Sequence, residues 1–305
     1  MKKTSETVVF FGSGPVAAKC LELLNKDFLV EAVITKPKPE HHRGDFPVLT
    51  IAEKLKLKVF APSSKKELSE LFTKNPVMSR LGIVIDYGII IAADVIDQFP
   101  LGIVNSHFSL LPRWRGADPI SFAILEGDAK TGVSLMVIDE GMDTGKLITR
   151  RVWHIKPKTT TPELTEQLIV LSHELLTKYL PLYIEGGIKP HAQPHPARAT
   201  YSRKLTKEDG VIDWHKSAQE IEREIRAFIE WPKSQTVLGD IPVTITAAHV
   251  VPVSSGKPGE IEVINKTILA IHCGTGYLCI DTLKPSGKKQ MPADAFLAGY
   301  SKRLI

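Results

Sequence analysis

The sequence has few cysteines and no cysteine pair at a metal-binding spacing. Its 305 residues include Cys20, Cys273 and Cys279, and none of the three belongs to a Cys-x-x-Cys motif. An odd number of widely spaced cysteines indicates neither a disulfide framework nor a zinc site. The pattern is typical of a reduced, cytoplasmic protein.

Long apolar runs are also missing. No window of the sequence approaches the length of a membrane-spanning helix. The apolar residues 8–11 follow a Met-Lys-Lys start in the manner of a signal peptide, but Glu6 precedes them and a turn at 12–15 ends the run. We therefore expect neither a signal peptide nor a membrane partner, and we expect a cytoplasmic location.

An acidic residue is absent from the place where a nicotinamide-dinucleotide enzyme usually carries one. Residues 7–11 predict a buried strand, 12–15 a tight turn and 16–24 a helix, as at the start of a dinucleotide-binding domain. The second predicted strand, 28–35, is followed by Lys-Pro-Lys-Pro rather than by the carboxylate that would hold a ribose. An oxidoreductase is therefore the weaker interpretation, although the helix start could still bind an anion.

Overall charge and composition set only broad bounds on function. The apolar fraction is 43% and the charged fraction is 24%, which are ordinary values for a globular chain. A formal net charge of +5 suits a polyanionic partner, and it suits equally well a charge that keeps the protein in solution. The function has to be argued from motifs.

The order of predicted elements divides the chain into two domains and a linker. Strands alternate with helices through residues 1–184, which predicts an α/β domain with a Rossmann-like, mostly parallel sheet and helices on both faces. Residues 185–205 are rich in Gly, Pro and basic residues and predict an interdomain linker. Residues 206–305 contain short β-rich runs separated by Gly and Pro, which predict a small β-barrel domain.

The strand predicted at 101–108 ends in two polar side chains. Because side chains alternate along a strand, Asn105 and His107 share one face. They stand near the carboxyl end of the strand, where open α/β sheets bind ligands. A turn-forming Asn and a core His would explain either residue taken alone. The loop that follows carries Arg113, Trp114 and Arg115, which we expect to be displayed on its surface.

A second polar motif follows the next predicted strand, at 133–138. It is Gly-Met-Asp-Thr-Gly, which places Asp143 between two glycines in a tight turn. A carboxamide, an imidazole and a carboxylate after neighbouring strands favour a catalytic centre over three unrelated structural residues.

These motifs resemble those of the formyltransferase family that uses 10-formyltetrahydrofolate. The Asn-x-His-x-Ser-Leu-Leu-Pro sequence at 105–112 and the Gly-x-Asp-x-Gly sequence at 141–145 are both present. The Arg-Trp-Arg-Gly-Ala-x-Pro-Ile continuation at 113–120 is most similar to the members that formylate methionyl-tRNA. The resemblance implies an OB-like C-terminal barrel and formyl transfer to the amino group of methionyl-tRNA for the initiation of translation.

The resemblance also implies roles for the three polar residues, and elementary chemistry agrees with them. Amine attack on a formamide-like carbonyl produces an oxyanion, which the carboxamide of Asn105 can stabilise. His107 can accept the amine proton or pass it to the folate nitrogen, and Asp143 can orient and stabilise His107. No serine or cysteine nucleophile is indicated. We therefore predict direct transfer, without a covalent enzyme intermediate and without a metal.

Residues that bind the two substrates are predicted from the same resemblance. The residues predicted to bind the co-substrate 10-formyltetrahydrofolate are Ser109, Leu110, Leu111 and Pro112. They form an apolar segment that the proline bends. Those for the aminoacylated initiator tRNA are basic, Arg43, Lys288 and Lys289. We expect the protein to act on its tRNA as a monomer.

Other enzymes with such a formyl-donor site remain alternatives. Glycinamide ribonucleotide transformylase lacks a barrel domain, formyltetrahydrofolate dehydrogenase carries a long extension, and formyltetrahydrofolate hydrolase shares the donor site. Sugar-amine formyltransferases do not usually combine the Arg-Trp-Arg-Gly motif with the C-terminal Lys-Lys pair. A nucleic-acid-binding protein with an inactive catalytic domain is disfavoured because Asn105, His107 and Asp143 are intact.

Overall fold

The computed structural model describes residues 6–39, 44, 46–252 and 256–304. The chain divides into two units. The first comprises the described residues of Met1–Pro119, Lys130–His154 and Thr165–Ser202. The second comprises those of Ile120–Ala129, Ile155–Leu164 and Arg203–Ile305.

Strands and helices alternate through most of the N-terminal part of the chain. The strands are β1 Thr7–Phe11, β2 Leu29–Ile34, β3 Val59–Phe60, β4 Leu81–Val84, β5 Ile103–His107, β6 Arg115–Gly116, β7 Lys130–Val137 and β8 Leu147–His154. The helices are α1 Pro15–Asp27, α2 Pro47–Lys54, α3 Lys65–Lys74, α4 Ala93–Ile96, α5 Pro119–Leu125 and α6 Thr161–Ile184.

A seven-stranded sheet forms the centre of the first unit, in the order β3-β2-β1-β4-β5-β7-β8. The strands from β3 to β5 pair in parallel, which places their carboxyl ends at one edge of the sheet. β7 pairs antiparallel with β5, and β8 pairs antiparallel with β7. The sheet is therefore mixed, with a parallel majority that ends at β5.

The parallel strands are apolar because both of their faces are covered. In β1, Val8 to Phe11 are fully buried. Phe11 packs edge-on against Phe99 and Tyr87 and stacks on Phe72. This rigid core fixes the strand ends from which the polar loops emerge.

The elements of the C-terminal part are mainly antiparallel strands. They are β9 Tyr201–Ser202, α7 Ala218–Ala227, β10 Ser234–Leu238, β11 Ile241–Val251, β12 Ile261–Ile264, β13 Ile268–His272, β14 Tyr277–Pro285, β15 Met291–Pro292 and α8 Ala293–Tyr300. The sheet of the second unit has the order β10-β11-β14-β13-β12, and β15 pairs with β14. Ser217 and Glu220 form a reciprocal capping box at the start of α7, which defines where that helix begins.

The predicted fold class is confirmed: an α/β unit with a mostly parallel sheet is followed by a separate antiparallel β unit. Helix α8 is a difference, because it was not among the elements that the sequence predicted for the C-terminal region. The predicted boundaries at 184, 185–205 and 206 stay predictions. The segment up to Ser202 belongs to the first unit, where β9 pairs with β6.

Candidate active site

Asn105, His107 and Asp143 lie together at the carboxyl end of β5. The Asn105 Nδ2 atom donates to Asp143 Oδ1 at 3.3 Å, and His107 Nδ1 lies 3.7 Å from Asp143 Oδ2. The intervening Ser106 points the other way and bonds to Ser172 on α6. The alternation predicted for this strand therefore brings the amide and the imidazole to the same carboxylate.

The carboxylate of Asp143 is held in place by its turn. Asp143 has φ +52°, and a Cβ on Gly145 would lie 1.9 Å from the carbonyl oxygen of Val137. The glycine is therefore required by close packing of the backbone. The backbone N–H of Gly116 donates to Asp143 Oδ2 at 2.7 Å, a charge-assisted bond that fixes the second carboxylate oxygen.

The imidazole of His107 is oriented by a backbone carbonyl. Its Nε2 atom lies 2.7 Å from the carbonyl oxygen of Trp114. A carbonyl oxygen only accepts, so Nε2 carries a proton and donates it. The nitrogen that can exchange a proton is then Nδ1, which faces Asp143. His107 is 6% exposed, so few water molecules compete for this nitrogen.

The loop after β5 differs from the sequence-based expectation. Trp114 and Arg115 were predicted to be displayed, but they are 7% and 6% exposed. Trp114 has φ +57°, which turns the chain back on itself. Its N–H then donates to the Thr200 hydroxyl, and the next N–H, on Arg115, donates to the Thr200 carbonyl. The prediction failed because these partners are distant in sequence.

Gln193 is a site residue that the sequence did not reveal. Its Nε2 atom donates to the carbonyl oxygens of Asp143 at 2.7 Å and Gly145 at 3.0 Å. Its Oε1 atom accepts from Arg115 Nη2 at 2.8 Å. This buried amide ties the Asp143 turn to the loop after β5. It lies in the segment predicted as a linker, where no local pattern marks it.

The predicted folate segment is folded over β7. The hydroxyl of Ser134 donates to the carbonyl oxygen of Ser109 at 2.7 Å and accepts from the N–H of Leu111 at 3.1 Å. The side chains of Ser109, Leu111 and Pro112 are buried, while Leu110 is half-buried. The segment is thus a fixed surface that can offer a ligand the Leu110 side chain and backbone groups.

Asp86 is an acidic group at the neighbouring strand end. Its carboxylate fills the space beside Gly14, where an added Cβ would lie 1.9 Å from Oδ2. Gly14 caps the start of α1, so the anion at this helix end is the chain's own. Although the residue as a whole is exposed, desolvation of its carboxyl group raises its pKa to about 6, Lys36 opposes this shift, and Asp118 adds to it.

The predicted tRNA-binding residues fall in two places. Arg43 lies outside the described residues. Lys288 and Lys289 are exposed in the turn between β14 and β15 of the second unit. Gly287, with φ +72°, starts their turn in open space.

Neither a metal-binding cluster nor a membrane-spanning helix occurs in the residues that the structure describes. Within the described parts of the chain, no group of three or more His, Cys, Asp or Glu side chains is arranged to hold a metal ion. Among the helices of those same parts, none has both the length and the apolar character that crossing a membrane requires.

Comparison with protein families gives two successive matches. Residues 6–180 match the model of formyl transferase, and residues 204–301 match that of the formyl transferase C-terminal domain. The first match contains Asn105, His107 and Asp143.

Individual relatives cover nearly the whole chain. A methionyl-tRNA formyltransferase of Roseiflexus castenholzii is 38% identical over 94% of this chain and 93% of its own. A methionyl-tRNA formyltransferase of Magnetococcus marinus is 36% identical over 97% of this chain and 96% of its own. Among solved structures, an N-formyltransferase from Helicobacter canadensis in complex with folinic acid and dTDP-3-aminofucose has a TM-score of 0.67 at 20% identity, covering 92% of this chain and 99% of that one. HypX from Aquifex aeolicus in complex with tetrahydrofolic acid has a TM-score of 0.64 at 16% identity. The match covers 97% of this chain and 47% of that one. At these identities the two structures support the fold alone.

Proposed function

The chain belongs to the formyl transferase family, and on this premise we propose that it transfers a formyl group from 10-formyltetrahydrofolate to the amino group of methionyl-tRNA. The observation that carries the proposal is the near-complete alignment, at 36–38% identity, with proteins named methionyl-tRNA formyltransferase. The geometry of Asn105, His107 and Asp143 supports it independently, because each group suits one part of amide transfer.

In this proposal Asn105 stabilises the charge that develops on the formyl oxygen. Its amide has two N–H donors, and one of them is bonded to Asp143. The second has no partner among the residues that the structure describes, so it can bond the substrate oxygen in an orientation that the first bond has already set. A single donor of this kind lowers an activation barrier by roughly 3 kcal/mol.

His107 and Asp143 move and hold the amine proton. With Nε2 donating to Trp114, the lone pair of Nδ1 accepts the proton that the attacking amine loses. The imidazolium so formed lies beside a carboxylate that Gly116 has already fixed. Its charge is therefore stabilised without rearrangement of the site. The same proton can pass to the nitrogen that leaves.

The folate co-substrate supplies the formyl group when bound. The residues that we propose to hold it are Ser109 to Pro112, which fit a flat ring of the folate because they present Leu110 and backbone polar groups on a rigid loop.

The partner that brings the amine is proposed to be an aminoacylated initiator tRNA, bound by a chain that acts as a monomer in the cytoplasm. The exposed Lys288 and Lys289 are candidates for phosphate contacts, as is Arg43. Each phosphate contact releases counterions, so apparent tRNA affinity should fall by roughly one log unit per log of salt for each contact.

Steady-state kinetics with two acceptors test the proposal. Labelled formyl transfer from 10-formyltetrahydrofolate is measured to methionyl-tRNA and to an amino sugar nucleotide, at two salt concentrations. We expect transfer to methionyl-tRNA with a KM that rises steeply with salt, and no significant transfer to the sugar. Efficient, salt-insensitive transfer to the sugar would replace the proposal with that of a small-amine formyltransferase.

A further inference from the structure

A row of three residues crosses the sheet beside the candidate active site. His107 of β5 is paired with Ser134 of β7, and Ser134 is paired with Arg150 of β8. Directly paired residues of antiparallel strands project from the same face. Since neighbouring strands are separated by about 4.8 Å, Arg150 begins roughly 10 Å from His107 on the same face.

The middle of this row lies under the predicted folate segment. The Ser134 hydroxyl bonds to Ser109 and Leu111, and the Arg150 Nη1 atom donates to the carbonyl oxygen of Leu111 at 2.9 Å. The guanidinium therefore lies at the edge of the segment that is farther from His107.

Arg150 differs from its neighbour Arg151. The Arg151 side chain projects from the opposite face and forms an ion pair with Glu174 on α6. No carboxylate of the described residues lies within ion-pair distance of Arg150. Arg150 is exposed, and one of its five N–H donors is used by Leu111. The cation is thus oriented by the loop, and no carboxylate in the described parts of the chain compensates its charge.

We propose that Arg150 binds the carboxylate end of the folate donor, the glutamyl tail. This inference rests on the proposed function, since it assumes that the donor lies against Ser109 to Pro112. With the formyl-bearing nitrogen at His107, the aminobenzoyl ring lies along the loop and the glutamyl carboxylates reach its far edge. A planar guanidinium with free parallel donors matches a carboxylate in two-bond geometry.

The inference is tested by binding of two ligands that differ in the tail alone. The ligands are 5-formyltetrahydrofolate and the corresponding pteroate, which lacks glutamate. Dissociation constants are measured by calorimetry for the unmodified protein, for Arg150→Gln and for Arg151→Gln, at low and high salt. Arg151→Gln is the matched control, since it removes an adjacent exposed arginine from the other face.

We expect Arg150→Gln to raise the dissociation constant of the glutamate-bearing ligand roughly tenfold, because a charged hydrogen bond is lost. The pteroate should bind the variant and the unmodified protein equally, and Arg151→Gln should change neither ligand. High salt should remove most of the difference in affinity for the glutamate-bearing ligand between the unmodified protein and Arg150→Gln.

Three results would overturn the inference. Equal weakening of both ligands by Arg150→Gln would show that the arginine only supports the Leu111 carbonyl, and unchanged binding of both would show that it touches neither. If the unmodified protein bound neither ligand, the folate donor itself would be contradicted, together with this inference. A parallel formyl-transfer assay distinguishes a protein that does not bind the folate donor from one that binds the donor but does not formylate methionyl-tRNA.

Discussion

The Nδ1 atom of His107 lies 3.7 Å from the Oδ2 atom of Asp143, and the Gly116 N–H holds that same oxygen at 2.7 Å. The separation is longer than a hydrogen bond, so the two groups share no proton at rest. It is short enough for the carboxylate to stabilise a proton that arrives on Nδ1. The carboxylate is therefore already fixed at a distance from which it can stabilise an imidazolium formed on His107.

Asn105→Ala should reduce kcat for formyl transfer roughly a hundredfold, because the variant loses the donor to the formyl oxygen. The KM for the folate donor should change little, since the amide acts mainly on the developing charge. Steady-state kinetics and a melting curve check this together. A well-folded variant with near-normal kcat would remove Asn105 from the mechanism.

Ser134→Ala should raise the KM for the folate donor roughly tenfold, because the Leu111 N–H and Ser109 carbonyl lose their partner and the loop loosens. The matched control is Ser172→Ala, which removes an equally buried hydroxyl that bonds to Ser106 on the other face. Both variants should lose stability, and only the first should change the donor KM. Equal KM values in the two variants would contradict the placement of the donor.

Gly116→Ala should abolish activity and lower the free energy of unfolding by roughly 2 kcal/mol or more. The residue has φ +105°, and an added Cβ would lie 2.2 Å from the Ser202 carbonyl oxygen. Relief of that clash would move the N–H that holds Asp143. Gly299→Ala in α8 is the control, because its Cβ meets open space and alanine favours the helix. Chemical denaturation and turnover are the measurements.

Asp86→Asn should stabilise the protein at pH 8 and have little effect at pH 4. Burial raises the pKa of the Asp86 carboxyl to about 6, against about 4 in an unfolded chain. Between those values the folded state binds more protons than the unfolded state, so wild-type stability falls as pH rises. Lys36, which lowers this pKa, and Asp118, which raises it, are the charged groups that face the carboxylate.

Asp209→Asn is the control, because the pKa of Asp209 is shifted in the opposite direction from that of Asp86. The Arg203 guanidinium lowers the pKa of Asp209 to about 2, so this carboxylate stabilises the fold above about pH 4 and loses that effect as pH falls toward 2. Denaturation is measured from pH 4 to 8 for the wild type and both variants. The difference in free energy of unfolding between Asp86→Asn and the wild type should grow with pH, and the difference between Asp209→Asn and the wild type should stay constant. A flat Asp86→Asn difference would contradict the buried position of its carboxyl group.

Strand alternation was enough to predict that Asn105 and His107 share a face, and the resemblance of the two motifs to those of the formyltransferase family added Asp143. Both signals are local in sequence, and the turn at Asp143 needs glycine for a reason visible in the backbone. The burial of Arg115 and the part played by Gln193 were not predictable in this way. They depend on the meeting of β6 with β9, which no periodicity records.

The central claim is tested most directly by single-turnover transfer of labelled formyl to methionyl-tRNA, with enzyme in excess, for the unmodified protein and for His107→Ala. We predict stoichiometric transfer by the unmodified protein, and a chemical step at least a hundredfold slower in the variant, on the order expected for a lost general base. Donor binding should be unchanged, which calorimetry checks on the same samples. Equal rates in the two proteins, or no transfer to methionyl-tRNA by the unmodified protein, would contradict the account.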